Sequence, residues 1–169
     1  MIKLFVFLGN PGKKYSSTRH NAGYIACDML FPSASWQTKF NGSFAKEGNI
    51  MLLKPLTFMN LSGTSVSAAT SFFHLKSDEV VVFHDDLELP LGTFKMEKGG
   101  PLHGHNGLRS IKERLGSDGF YHVRIGIGRP KHGDVALYVT TPFINDEMIT
   151  LSQREGELKD IVNSLKQIK

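Results

Sequence analysis

Apolar residues follow two rhythms along this chain, and the rhythms alternate. Residues 2–8, IKLFVFL, are almost continuously apolar and rich in β-formers, which predicts a strand covered on both faces. Ala22, Ile25, Ala26, Met29 and Leu30 then recur at helical spacing, with Thr18 or Asn21 placed to cap that helix. FPSASWQTKFNGSFAKEG, from Phe31, mixes aromatics with Pro, Ser and Gly and predicts a loop with one short edge strand. NIMLLKP from Asn49 predicts a second buried strand. Val66, Ala69, Phe72 and Phe73 mark one face of a helix in SGTSVSAATSFFHL. EVVVFHDD from Glu79 predicts a third buried strand, and the alternation in LGTFKMEK from Leu91 an antiparallel one.

Asn106 to Leu115 predicts a helix with Leu108, Ile111 and Leu115 inward and Gly116 as its stop. HVRIGIG and DVALYVT predict two further strands. Leu158, Ile161, Val162 and Leu165 form the apolar stripe of a closing helix. No repeat, low-complexity tract or interdomain linker interrupts the pattern. Alternating strands and helices imply one α/β domain over residues 1–169, with a largely parallel sheet and helices on both faces.

Composition narrows the class. With 40% apolar and 21% charged residues in 169, the chain should fold as an ordered globular domain with a real core. A formal charge of +4 is compatible with a polyanionic partner but does not demand one. Cys27 is the sole cysteine, which excludes an internal disulfide or a cysteine-based zinc cage and fits a reducing, cytoplasmic setting. The first apolar run is too short to span a membrane. GNPG follows it where a secretory signal needs a small-residue cleavage site, so Met1 reads as the true start and no membrane partner is expected.

Polar residues cluster where strands end. Asn10 to Asn21, with Tyr15, Arg19 and His20, follows the first strand. Thr57, Phe58, Met59 and Asn60 follow the second, and His84, Asp85 and Asp86 close the third. In open α/β sheets, ligands bind at the carboxyl ends of strands. If the three strands are parallel neighbours, the clusters share one crevice, with His105 and Asn106 as a further wall. Other readings stand beside this one. Asn10 before Pro11-Gly12 is ordinary turn chemistry, Asn60 and Asn106 are good helix caps, and His84, Asp85, His103 and His105 are metal-ligand types without a diagnostic spacing.

The convergence of one histidine, one carboxylate and several amides favours hydrolysis. A carboxylate can orient an imidazole so that its other nitrogen takes a proton from water, a contribution of ~10²–10⁴ in rate. An asparagine NH₂ can hold a carbonyl oxygen as it becomes an oxyanion, worth roughly 10²–10³. No G-x-S-x-G nucleophile elbow occurs, which leaves water as the nucleophile.

Five segments, GNPGKKYSSTRHNAGY, KPLTFMNLSG, VVFHDDLELPLG, HGHNGL and VRIGIGRP, occur in this order and closely resemble the bacterial peptidyl-tRNA hydrolase family from about Ile2 to about Phe143. The resemblance implies a one-domain fold with a twisted mixed sheet. It implies a metal-independent, cofactor-free monomer that cleaves the ester between a peptide and the 3′ ribose of tRNA. His20 then looks like the general base and Asp85 its partner, while Asn10 and Asn60 look like amides holding the substrate carbonyl. Asn106, beside His105, looks like a ligand for the acyl or terminal-nucleotide end, and Tyr15, Phe58 and Met59 look like apolar groove walls. Arg124 matches an arginine at the family's site for the tRNA 5′-phosphate. Lys98 is expected to stand in for a clamp lysine that aligns with Glu97, so that the two cations grip the acceptor stem. The chain departs from the pattern at His103, where glycine is usual, at Glu97, and in a shorter C-terminal region.

Overall fold

A computed structural model describes all 169 residues. β1 (Leu4–Phe7) lies at the centre of one seven-stranded sheet. On one side it pairs in parallel with β4 (Ile50–Pro55), which continues antiparallel through β3 (Gly42–Glu47) to β2 (Gln37–Lys39). On its other side β5 (Val80–Asp86) is parallel to β1, β7 (Tyr121–Gly126) is parallel to β5, and β6 (Phe94–Lys98) closes the edge antiparallel to β7. The expected fold class, one α/β domain with a mixed and largely parallel sheet, is what forms.

Period-two alternation explains the two cores. Phe5 and Phe7 of β1, with Val81 and Phe83 of β5, face α1 (Ala22–Leu30) and the closing helices. Leu4 and Val6, with Val80 and Val82, face α2 (Ser62–Phe72) and α3 (Asn106–Leu115). Both layers are apolar, which is why these strands carry unbroken hydrophobic runs.

Several local expectations are corrected. The segment from Phe31 holds two strands, not one: β2 and β3 join through Phe40 and Asn41, both left-handed at φ 58° and 53°. That is the backbone of a two-residue hairpin turn without its usual Asn-Gly sequence. DVALYVT is not a strand. Its β-branched composition is overridden by Asp134, whose side chain accepts from the Ala136 N–H at 2.8 Å and starts α4 (Val135–Val139). The tail forms two helices, α5 (Asn145–Gln153) and α6 (Glu155–Lys166), separated at Arg154. Phe72, expected inward, is 58% exposed at the end of α2, with the Lys39 ammonium 4.4 Å from its ring centroid.

The caps differ too. Asn21 stands at the start of α1 but makes no capping bond. It accepts instead from the Asn10 N–H at 2.8 Å and donates to the Asn10 carbonyl at 3.0 Å. Thr18 donates to the Tyr15 carbonyl. The loop after β1 is thereby pinned to the first turn of α1.

α1 presses closely on the ends of β1 and β5. A Cβ on Gly23 would lie 2.5 Å from the Leu8 carbonyl oxygen and 2.6 Å from that of Phe83. We expect Gly23→Ala to destabilise the fold by at least about 1–3 kcal/mol through overpacking, read as a lower urea midpoint with an unchanged slope.

Candidate active site

The carboxyl ends of β4, β1 and β5 are adjacent, and contacts join their polar clusters pairwise, His20 with Asp85 and Asn10 with Met59. A cavity of about 520 Å³ runs from His20, Asp85 and His105 to the wall formed by Val135 and Val139 of α4, and Asn10, Tyr15, Phe58, Met59 and Asn60 do not line it.

Strand geometry sorts the three polar residues that end β5. Asp85 projects to one side of the sheet, and His84 and Asp86 to the other. The Asp85 carboxylate, 4% exposed, receives two imidazoles. His20 Nδ1 lies 2.8 Å from Oδ2 and 3.0 Å from Oδ1, and His105 Nε2 lies 2.8 Å from Oδ1. His20 rides on a 3-10 turn, Arg19–Asn21, directly before α1.

Hydrogen bonding fixes both tautomers. His105 precedes α3, and its Nδ1 accepts from the Gly107 and Leu108 N–H groups at 3.1 and 3.3 Å. The proton of the neutral ring is therefore on Nε2, donated to Asp85. His20 donates from Nδ1 to the same carboxylate, and its Nε2 makes no protein hydrogen bond. Burial alone lowers the His20 pKa, but the charge of Asp85 and its hydrogen bond outweigh burial and hold it above the ordinary value. Burial would raise Asp85, yet His20 and His105 keep it well below the usual carboxylate range.

Ligand atoms of His20, Asp85 and His105 lie within 4.8 Å of one another, a two-histidine, one-carboxylate set. The donor chemistry fits a metal poorly. A cation on His105 Nε2 would need either an imidazolate or a proton on Nδ1, where two backbone N–H groups already point.

Asn10 is buried, and its Oδ1 accepts from the Met59 N–H at 2.7 Å. This bond orients the amide, so its NH₂ is the group left to donate. Met59 is buried, and the Phe58 ring, 55% exposed, meets Tyr15 edge-on at 6.2 Å. Asn60 is exposed and makes no protein hydrogen bond. Neither Asn60 nor Asn106 caps a helix: Leu61 stands at the start of α2 and His105 caps α3. Asn106 is exposed at the cleft and accepts from Arg109.

The cations divide sharply. Lys98 is exposed on β6, its ammonium 5.5 Å from the Tyr121 ring. Arg124, expected at a tRNA phosphate, is paired with carboxylates of the protein. It is 7% exposed, with Nε on Asp86 Oδ2 at 2.7 Å and Nη1 on Glu97 Oε1 at 2.9 Å. Glu97, at the position where the resemblance led to a clamp lysine being expected, pairs with the arginine instead. At the other departure, His103 takes a left-handed φ of 52° beside Gly104 at 74°, so the loop keeps a glycine-like backbone despite the side chain. Cys27 is buried, and burial pushes its thiol up to about 12, which removes it as a nucleophile.

Composition and spacing gave no sign of a second histidine pair behind Asp85. His84 Nδ1 lies 2.9 Å from the Asp85 carbonyl, His84 Nε2 2.8 Å from His122 Nδ1, and His122 Nε2 2.9 Å from the Gly99 carbonyl. The available signal was a polar residue at an inward position of each strand, His84 in VVVFHDD and His122 in YHVRIG. Burial drives His84 down to about 3 and also lowers His122. Two neutral rings bring two N–H protons to three contacts, so one contact lacks its hydrogen.

A sequence profile of the family described as Peptidyl-tRNA hydrolase matches residues 4–168. The chain belongs to the peptidyl-tRNA hydrolase family. The peptidyl-tRNA hydrolase of Geobacter sulfurreducens is 46% identical over 170 residues, covering 96% of this chain and 88% of that one. That of Treponema pallidum is 45% identical over 175 residues, with 97% and 87% covered. The crystal structure of the peptidyl-tRNA hydrolase from Acinetobacter baumannii superposes with a TM-score of 0.82 at 30% identity, covering 99% of this chain and 96% of the other.

The buried histidines make stability depend on pH. The folded His84 pKa lies below the unfolded value near 6.5, so between that pH and about 3 the unfolded chain binds the extra proton and acidification destabilises the fold. One such ring contributes up to about 1.4 kcal/mol per pH unit. His84→Asn should flatten the loss of urea resistance between pH 6.5 and 4, and an unchanged slope there would assign the acid sensitivity to other groups.

Proposed function

We propose that this chain hydrolyses the ester joining a peptide to the terminal ribose of tRNA, with water as the nucleophile and His20 as its general base. The observation that carries this reading is the His20–Asp85 contact at 2.8 Å, which leaves Nε2 as the ring's free nitrogen on the cleft. The family membership supplies the substrate class.

Water attacks the ester carbonyl carbon as its proton passes to His20 Nε2. The carbonyl oxygen becomes an oxyanion, and the Asn10 NH₂, held by the Met59 N–H, is the donor suited to receive it. Collapse breaks the bond to the ribose oxygen, which takes the proton back from His20 Nε2. The products are a peptide acid and a free ribose hydroxyl, with no covalent enzyme intermediate. An ester is activated compared with an amide, so a positioned water and a base suffice. Asp85 holds the ring in the correct tautomer and stabilises the imidazolium that forms.

Tyr15, Phe58 and Met59 offer apolar contact to the substrate end, and Asn60, His105 and Asn106 polar contact. Lys98 is the cation on β6 best exposed for an acceptor-stem phosphate. Arg124 acts within the protein, through Asp86 and Glu97. No helix is long and apolar enough to cross a membrane. The reaction needs one copy of the chain, in keeping with a monomer working in the cytoplasm where peptidyl-tRNA arises.

We expect His20→Ala to lower turnover of a defined peptidyl-tRNA by ~10²–10⁴, with circular dichroism unchanged. EDTA should leave the wild type at full rate. The acid limb of kcat/KM should fall above 6.5, because the base acts when neutral and Asp85 raises its pKa. Lys98→Ala should raise KM for peptidyl-tRNA and reduce the salt slope of binding by about one. It should spare a small peptidyl ester without the tRNA body; equal damage to both substrates would remove Lys98 from the phosphate contact.

A further inference from the structure

Arg19 precedes His20, yet its guanidinium faces away from the cleft. The side chain is 7% exposed. Nη1 donates to the carbonyls of Tyr138 and Thr141 at 3.2 and 3.3 Å, and Nη2 to Glu147 Oε1 at 2.8 Å. The guanidinium carbon sits 4.1 Å from the centroid of the Tyr138 ring. Glu147 Oε1 also accepts from the Ile144 N–H at 2.9 Å, where α5 begins.

The backbone reinforces the same joint. The Arg19 N–H donates to the Thr141 carbonyl at 3.2 Å, and the Phe143 N–H to the Ser17 carbonyl at 2.9 Å. Thr18 and Pro142 form an isolated antiparallel bridge. All of these partners lie on the stretch that leads from α4 into α5. α4 is the wall of the cleft opposite His20. Arg19 Nε, buried, has no partner at all. The fork is thus set by the two carbonyls and the carboxylate, at the expense of its remaining donor.

We propose that Arg19 is a positioning residue for the hydrolysis, clasping the turn that carries His20 to the α4–α5 segment that walls the cleft. It touches no reacting atom. The His20 ring has one hydrogen-bonded anchor, Asp85, and depends for the rest of its placement on the backbone of its turn. A displacement near 1 Å at a proton-transfer group costs on the order of 10²-fold in rate. The same clasp sets the distance between His20 and the α4 residues that line the cavity. This inference rests on His20 being the base.

The test compares Arg19→Lys and Glu147→Gln with wild type and His20→Ala on one peptidyl-tRNA, in the full chain, below the melting temperature of each. Lysine keeps the charge for Glu147 but cannot fork to two carbonyls. The expected result for Arg19→Lys is a kcat lower by ~10–100-fold with KM within about threefold, and Glu147→Gln should fall between it and wild type. His20 is faced by Asp85 and His105, and a relaxed turn lengthens its contact with Asp85. The acid limb of kcat/KM should then move to lower pH, toward 6.5, a shift that loss of folded protein does not produce. Wild-type kcat and an unmoved acid limb in both variants would overturn the proposal, as would a loss of rate that only tracks the fraction unfolded. Should Arg19→Lys fail to fold, Glu147→Gln carries the same two readouts alone. If His20→Ala kept its rate, the base assignment would fail first, and that result is separate from either outcome for Arg19.

Discussion

A buried carboxylate with two imidazoles on it is the constraint from which the site follows. Asp85 is almost fully removed from water, and an ionised carboxylate there is costly unless its oxygens are occupied by donors. His20 and His105 provide those donors, their ring centroids 5.2 Å apart. The demand works in both directions. The carboxylate needs the two N–H groups to stay charged, and each ring is thereby forced into one tautomer. His105 is doubly constrained, since the first backbone N–H groups of α3 claim its other nitrogen. His20 has no second claimant, so its remaining nitrogen is left without a protein partner. Two histidines on the same carboxylate thus hold different jobs because of what lies on their far sides.

The topology explains why such a cluster assembles from distant segments. β4 and β5 flank β1 in parallel, so the loops leaving all three emerge on one edge of the sheet. Asn10 bridges two of them, bonding Asn21 through its backbone and Met59 through its side chain. The hydrogen bonds that a loop residue would otherwise give to water are used to tie the rim of the cleft together. Behind it, His84 and Asp86 anchor β5 to His122 and Arg124 of β7. Of the three polar residues that close β5, His84 pairs with His122, Asp85 holds the His20 and His105 rings, and Asp86 pairs with Arg124.

Glu97 is where this chain shows how one residue can redirect a site. A lysine at that position would repel Arg124 and leave two cations facing outward. Glutamate instead completes a carboxylate–guanidinium–carboxylate triad with Asp86 and lies 3.6 Å from His122. The guanidinium is thereby held between two carboxylates, whereas Lys98 on the same strand as Glu97 is exposed. Recognition that rests on phosphate contacts tolerates this kind of relocation, because such contacts carry no base information.

The chain's own pattern was sufficient for the fold class. Unbroken runs at residues 2–8, 49–55 and 79–86 reported burial on both faces, and helical spacing between them reported the layers. Five ordered motifs were sufficient for the family. What the pattern misread were short segments whose state is decided by one cap or one turn, such as α4 after Asp134 and the Phe40–Asn41 hairpin. The site divides along the same line. His20, Asp85 and Asn10 were singled out because their residue types stood at strand ends, and the fold brings His20 onto Asp85 and Asn10 onto Met59. The pairings of His105, His84, Arg19 and Arg124, with partners from 20 to 128 positions away, carried no pattern in the chain that named the partner. A linear chain records which groups can donate and accept. Only the folded sheet decides which of them meet, and hence which nitrogen remains free to take a proton.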